Sequence, residues 1–186
     1  MAEMTTTHAP LAPPLGHREA MALATAEFER ILTLLRSLAT QDWARPTVCE
    51  LWDVRAMASH VLGMAEAQAS LRQFLHDYSA AGKRSGGKMI DAMTASQVRE
   101  RASMPPAAII DRLALVAPRA IRARTRTPAF LRRAVRMRQD PPFEAERWPY
   151  GYLVDVVFTR DTWMHRLDIS RATLGGRGHD QRLSVD

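Results

Sequence analysis

Three residues stand where a helical protein would ordinarily place apolar side chains. Asp161 and His165 are four positions apart in a run whose apolar members, Val154, Val157, Phe158, Met164 and Leu167, mark one side of a helix. A carboxylate and an imidazole at that spacing lie next to each other on one face and project toward the interior. His60 interrupts a second apolar stripe, Met57, Met64, Leu71 and Phe74, three positions after Met57. An ionised carboxylate buried without a partner costs several kcal/mol, and a divalent metal is one efficient partner for a carboxylate and two imidazoles together. Three protein ligands leave a coordination position open, the arrangement of a catalytic site rather than a structural one. Such a donor set accepts zinc, nickel, cobalt, manganese or iron. The same residues also admit plainer readings, a surface Asp-His pair and a core histidine bonded to a carbonyl, and spacing alone does not bring His60 to the other two.

The elements that must position these residues read as helices. Leu23, Phe28, Ile31, Leu34, Leu35 and Leu38 recur at helical spacing from His17 to about Ala39. Asp53 is a good N-cap for a second helix reaching roughly Ala81, before a glycine-rich basic loop with Lys83, Arg84 and Lys88. A short helical turn is expected at Ile90 to Arg101. A third long helix is expected from Pro105 to Arg124, capped near Ser103 and kinked at Pro118. Pro128, Pro141, Pro142 and Pro149 enclose a long basic connection, with a short helix expected within Arg132 to Arg138. The last helix is expected from Tyr150 to Leu174, ended by Gly175 and Gly176. Four long helices without a strand signal predict an all-α four-helix bundle.

A chain of 186 residues suits one domain. The expected division is a disordered tail over 1–16, the bundle over 17–175, and over 176–186 a tail or the start of a second domain. The single cysteine, Cys49, forms no internal disulfide and fits a reducing cytoplasm. No apolar run approaches the roughly 18 residues of a membrane span. The net charge of +6 asks whether the partner is anionic. Arg119, Arg122, Arg124, Arg126, Arg132, Arg133, Arg136 and Arg138 could neutralise phosphates, but prolines break the segment and no helix-turn-helix or aromatic RNA-binding motif accompanies it.

Two segments resemble the N-terminal domain of mycothiol-dependent maleylpyruvate isomerases, within the DinB/YfiT-like superfamily. One carries Trp43, Pro46-Thr47, Cys49, Trp52 and His60-x-x-Gly63; the other carries Asp161-x-x-x-His165-x-x-Asp168. The likeness extends over about residues 17–175. It implies a metal on His60, Asp161 and His165, with zinc favoured and nickel or another transition metal admitted. Family members usually have Glu where this chain has Asp161, one methylene shorter, and they continue into a C-terminal domain that contributes to the active site.

The resemblance further implies a low-molecular-weight thiol cosubstrate, mycothiol or a similar thiol, that adds to an electrophilic substrate with an S-transferase or isomerase outcome. On that reading Asp168 orients a ligand or, equally well, pairs with an arginine. Lys83, Arg84 and Lys88 are candidates for holding carboxylates of thiol or substrate, beside the plain reading of a solvated loop. Trp43, Trp52 and Trp163 are expected to be core or helix-packing residues rather than substrate stackers, Cys49 to be structural, and Pro46 and Thr47 to form a turn and cap. Homodimers are common in the superfamily. A metal-binding sensor without turnover and a basic nucleic-acid-binding helical protein are the competing classes.

Overall fold

The computed structural model describes residues 15–82, 86, 88–140 and 142–180, with 174–180 described by backbone alone. Lys83 and Arg84 lie outside the described residues. The chain is mostly helical. Its elements are α1 (His17–Ser37), a 3₁₀ turn (Thr40–Ala44), α2 (Val54–Ala69), α3 (Leu71–Gly82), α4 (Met89–Glu100), α5 (Pro106–Thr125) and α6 (Ala129–Ala134). There follow β1 (Arg136–Arg138), β2 (Arg147–Pro149), α7 (Tyr150–Tyr152), a π-helical turn (Leu153–Val157) and α8 (Phe158–Asp180). Among the described residues no helix is long and apolar enough to cross a membrane.

The long helices bury a main core, with a smaller cluster of Ala20, Met21 and Val154 beside it. α2 packs on α5, α1 on α5 and α8, and α2 also on α8, while α3 and α4 pair with each other against α2. Ile31, Leu35, Met57, Leu62, Ile109, Leu113 and Ile169 are fully buried where these helices meet. Each such side chain contributes about 1.5–3 kcal/mol through removal from water. The Asp53 carboxylate accepts the Ala56 N–H at 2.7 Å and starts α2 as expected.

Several expectations need correction. The predicted second helix is two helices, broken at Ser70, whose extended backbone and hydroxyl, 3.3 Å from the Gln73 N–H, start α3 afresh. The break changes the phase of the apolar stripe, so Leu71 is exposed. The expected turn at Ile90 to Arg101 is a full helix of 12 residues. α5 takes Pro105 rather than Ser103 as its N-cap and continues as one element through Pro118. Two strands of three residues form an antiparallel ladder, Arg136 opposite Pro149 and Arg138 opposite Arg147, where no strand was expected. The short helix falls at Ala129–Ala134, beginning ahead of the predicted segment and overlapping only its start. α8 continues through Gly175 and Gly176 to Asp180, since glycine inside a helix costs only about 1 kcal/mol against alanine. Leu23, Trp163 and Met164 are exposed rather than on a buried face.

The entry into α8 is held by buried charge. Arg124 donates to the Val154 carbonyl at the π turn, from Nε at 3.1 Å, and to Thr159 Oγ1 at 2.8 Å. Burial pushes its guanidinium down to about 10, against the pull of Asp155 and Tyr150. Arg132 bonds Asp155 at 3.1 Å, and Asp155 also takes the His17 imidazole at 2.6 Å. Two members of the arginine run are thereby structural.

Candidate metal centre

The 3₁₀ turn and the loop after it place an aromatic wall. Thr47 Oγ1 donates to the Trp52 carbonyl at 2.8 Å and accepts the Cys49 N–H at 3.2 Å, while Pro46 bridges to Asp53. This is the turn expected of Pro46 and Thr47. Cys49 packs half-buried against the core. Trp43 is buried in that core, but Trp52 is not simply core: its ring lies 5.3 Å from His60 and 6.1 Å from His165 between centroids.

α2 and α8 bring the three predicted ligands together. One ligand atom from each of His60, Asp161 and His165 lies within 4.8 Å of the others. Asp161 sits between the imidazoles, Oδ2 3.5 Å from His60 Nε2 and Oδ1 3.4 Å from His165 Nε2. The two imidazole rings meet edge to face at 5.0 Å. His60 is buried, whereas the Asp161 side chain is 32% exposed, so the cluster opens on the carboxylate side. Burial works to raise the Asp161 carboxyl, but hydrogen bonds and charge from His165 and His60 outweigh it and hold the group well below the usual carboxylate range. It is therefore ionised at neutral pH. His165 Nδ1 is buried and has no hydrogen-bond partner among the described residues. An anionic oxygen and two imidazole nitrogens converging near an open side form a donor set that fits a divalent transition metal.

The support behind His60 comes from α4. Gln97 Oε1 lies 3.0 Å from His60 Nδ1, and Gln97 Nε2 donates to Asp77 Oδ2 at 3.0 Å. Hydrophobic periodicity does not reveal Gln97, because the buried residues of α4 are Ser96 and Gln97. Asp168, in turn, pairs with Arg171 at 3.7 Å. Lys88 is exposed just before α4. A second group, His76, Asp77 and Glu100, also clusters within 4.8 Å. There His76 and Glu100 bond each other at 2.9 Å, and both Asp77 oxygens take amide donors, from Gln73 and Gln97.

Gly63 is the residue that lets Gln97 approach. A Cβ there would lie 2.7 Å from Gln97 Cβ and 2.8 Å from its Cγ. Those atoms sit close to the α4 backbone and cannot swing aside. Alanine is the better helix former by about 1 kcal/mol, but overpacking costs about 1–3 kcal/mol. Gly63→Ala is expected to lower stability by about 1–2 kcal/mol in denaturant titrations. A variant as stable as the native chain would show that α4 is free to move.

A family model described as Mycothiol maleylpyruvate isomerase N-terminal domain matches residues 24–170. The crystal structure of the mycothiol-dependent maleylpyruvate isomerase is similar in fold, with a TM-score of 0.57 at 15% identity, over 83% of this chain and 61% of that one. The chain thus spans less than two thirds of the length of that protein. No curated protein matches it.

Proposed function

Because this chain belongs to the mycothiol maleylpyruvate isomerase N-terminal domain family, we propose that it holds a divalent metal on His60, Asp161 and His165 and uses a low-molecular-weight thiol against an electrophilic substrate. The observation that carries this reading is the convergence of one carboxylate and two imidazoles from α2 and α8 within 4.8 Å, open on one side. Zinc is the metal we favour, nickel the nearest alternative, and mycothiol or a similar thiol the cosubstrate. We also read the packing of α1, α2, α5 and α8 as the four-helix bundle of DinB-like proteins.

A divalent ion bound here would lower the pKa of a coordinated thiol and supply the thiolate that free thiols mostly lack at neutral pH. The chain's own residues prepare for that chemistry. Asp161 brings the negative charge that offsets a cation. Trp52 packs its ring near both imidazoles and gives that side of the cluster an apolar wall. Attack on an electrophilic carbon gives a thioether, an S-transferase outcome, either as a leaving group departs with its electron pair or, across a carbon–carbon double bond, as the neighbouring carbon takes up a proton. Addition, rotation about the resulting single bond and expulsion of the same thiol give an isomerisation.

The burial of Arg124 and the pairing of Arg132 with Asp155 weigh against the phosphate-binding reading of the arginine segment. Zinc-loaded protein mixed with mycothiol and monobromobimane is expected to consume thiol faster than the uncatalysed mixture. Chelation and His165→Ala should each return the rate to background. A zinc-loaded native chain that adds nothing to the background rate with bimane or with ene-dione acids would favour the sensor reading instead.

A further inference from the structure

Behind His60 a line of buried polar groups leads away from the metal cluster. His60 Nδ1 meets Gln97 Oε1, Gln97 Nε2 meets Asp77 Oδ2, and Asp77 Oδ1 accepts from Gln73 Nε2 at 2.7 Å. Gln97 is 0% and Asp77 1% exposed, so water does not compete for these bonds. Both Asp77 oxygens accept from amide N–H groups, one from each glutamine. Asp77 therefore dictates which way the Gln97 amide faces, its NH₂ toward Asp77 and its oxygen toward His60. An oxygen at Nδ1 requires a proton on Nδ1. Asp161 competes for that proton from the other side, but the contact at Nδ1 is the shorter, 3.0 Å against 3.5 Å from Nε2 to Asp161, so the neutral imidazole keeps its proton on Nδ1 and its lone pair on Nε2.

We propose that Asp77, acting through Gln97, sets the tautomer of His60 and so presents Nε2 to the metal. Asp77 and Gln97 are positioning residues. The tautomer assignment stands on the hydrogen-bond network alone, while its use for metal binding rests on the reading under Proposed function. His165 provides a built-in contrast: its Nδ1 has no partner among the described residues, and its Nε2 lies 3.4 Å from Asp161, which favours hydrogen on Nε2.

The test begins with metal-free protein labelled with ¹⁵N at histidine, at a pH where the imidazoles are neutral, with long-range ¹H–¹⁵N spectra reporting which nitrogen of each ring carries hydrogen. Native His60 is expected to be mainly the Nδ1–H form and His165, whose Nε2 faces Asp161, mainly the Nε2–H form. Asp77→Asn gives residue 77 donors of its own, so the Gln97 amide can reverse and offer NH₂ to His60 Nδ1. In that variant His60 should shift toward the Nε2–H form, and zinc affinity, by competition with a chromophoric chelator, should fall about 10–100-fold. Gln97→Met, which removes both bonds at near-constant volume, should abolish the tautomer preference and serves if Asp77→Asn does not fold.

A native His60 in the Nε2–H form would overturn the proposal, as would variants with native tautomer and native zinc affinity. Native Nδ1–H lost in the variants, in a chain that refuses zinc throughout, would uphold the tautomer assignment and overturn the metal reading alone.

Discussion

Protein purified without chelator is expected to carry about one divalent metal ion per chain, and His60→Ala, Asp161→Ala and His165→Ala are each expected to carry almost none. Loss of a residue that merely orients a ligand lowers metal affinity about 10–100-fold, so loss of a ligand from a three-ligand set should exceed the upper end of that range. Each removal acts differently. His60→Ala deletes the ligand that is held from behind by Gln97. Asp161→Ala leaves two imidazoles with no negative charge between them. His165→Ala deletes the imidazole that shares the α8 face with Asp161. Elemental mass spectrometry of the four proteins, with circular dichroism to confirm folding, makes the comparison. A folded native chain that holds no metal and refuses added zinc, nickel and cobalt would sink the central reading.

How much of this was legible in the sequence depended on whether apolar neighbours framed the residue. His60 and Asp161 stand out because apolar residues flank them at helical spacing, and the helices carrying them were expected close to where they lie. Gln97 was invisible for the opposite reason. The side of α4 that turns inward is itself polar, Ser96 and Gln97, while Ile90 is exposed, so apolar periodicity points away from the buried face. The break at Ser70 did have a signal. Ser70-x-x-Gln73 is the pattern of a capping box, masked by apolar residues that continue on both sides of it. Trp52 was assigned to the core on its type alone, and only the pinned loop from Pro46 to Asp53 turns its ring onto the histidines. The π turn has no sequence pattern of its own; it is recognised by the Arg124 guanidinium bonded to the Val154 carbonyl.

The largest stability loss is expected from Glu66→Gln. Glu66 is buried on α2 and takes two guanidiniums, Arg101 from the turn after α4 and Arg112 from α5. Arg101 is itself buried, its Nε 3.0 Å from Glu66 Oε2 and its NH1 2.9 Å from the Gln97 carbonyl. Gln keeps the shape but not the charge, and its NH₂ would face a guanidinium donor to donor. Breaking a buried pair in this way costs about 3–5 kcal/mol, because the remaining charge loses its buried partner and Arg101 keeps only the more exposed Glu100, 3.9 Å away. Arg112 is 58% exposed and stays solvated, so the loss comes from Arg101 and should fall near about 3 kcal/mol. For a chain of this size that lowers Tm by roughly 6–12 °C. Salt should rescue little, since buried charges are poorly screened. Replacing both partners, Glu66→Leu with Arg101→Met, removes the stranded charge and should recover much of the loss. A Glu66→Gln melt within about 1 °C of native would mean that water reaches Arg101 and the pair is not truly buried. The consequence would extend to the metal centre: Arg101 fixes the backbone of Gln97, and Gln97 fixes His60. The ion pair that stabilises the α2–α4 contact also holds Gln97 against His60, so on the proposed metal role zinc affinity in Glu66→Gln should fall together with stability.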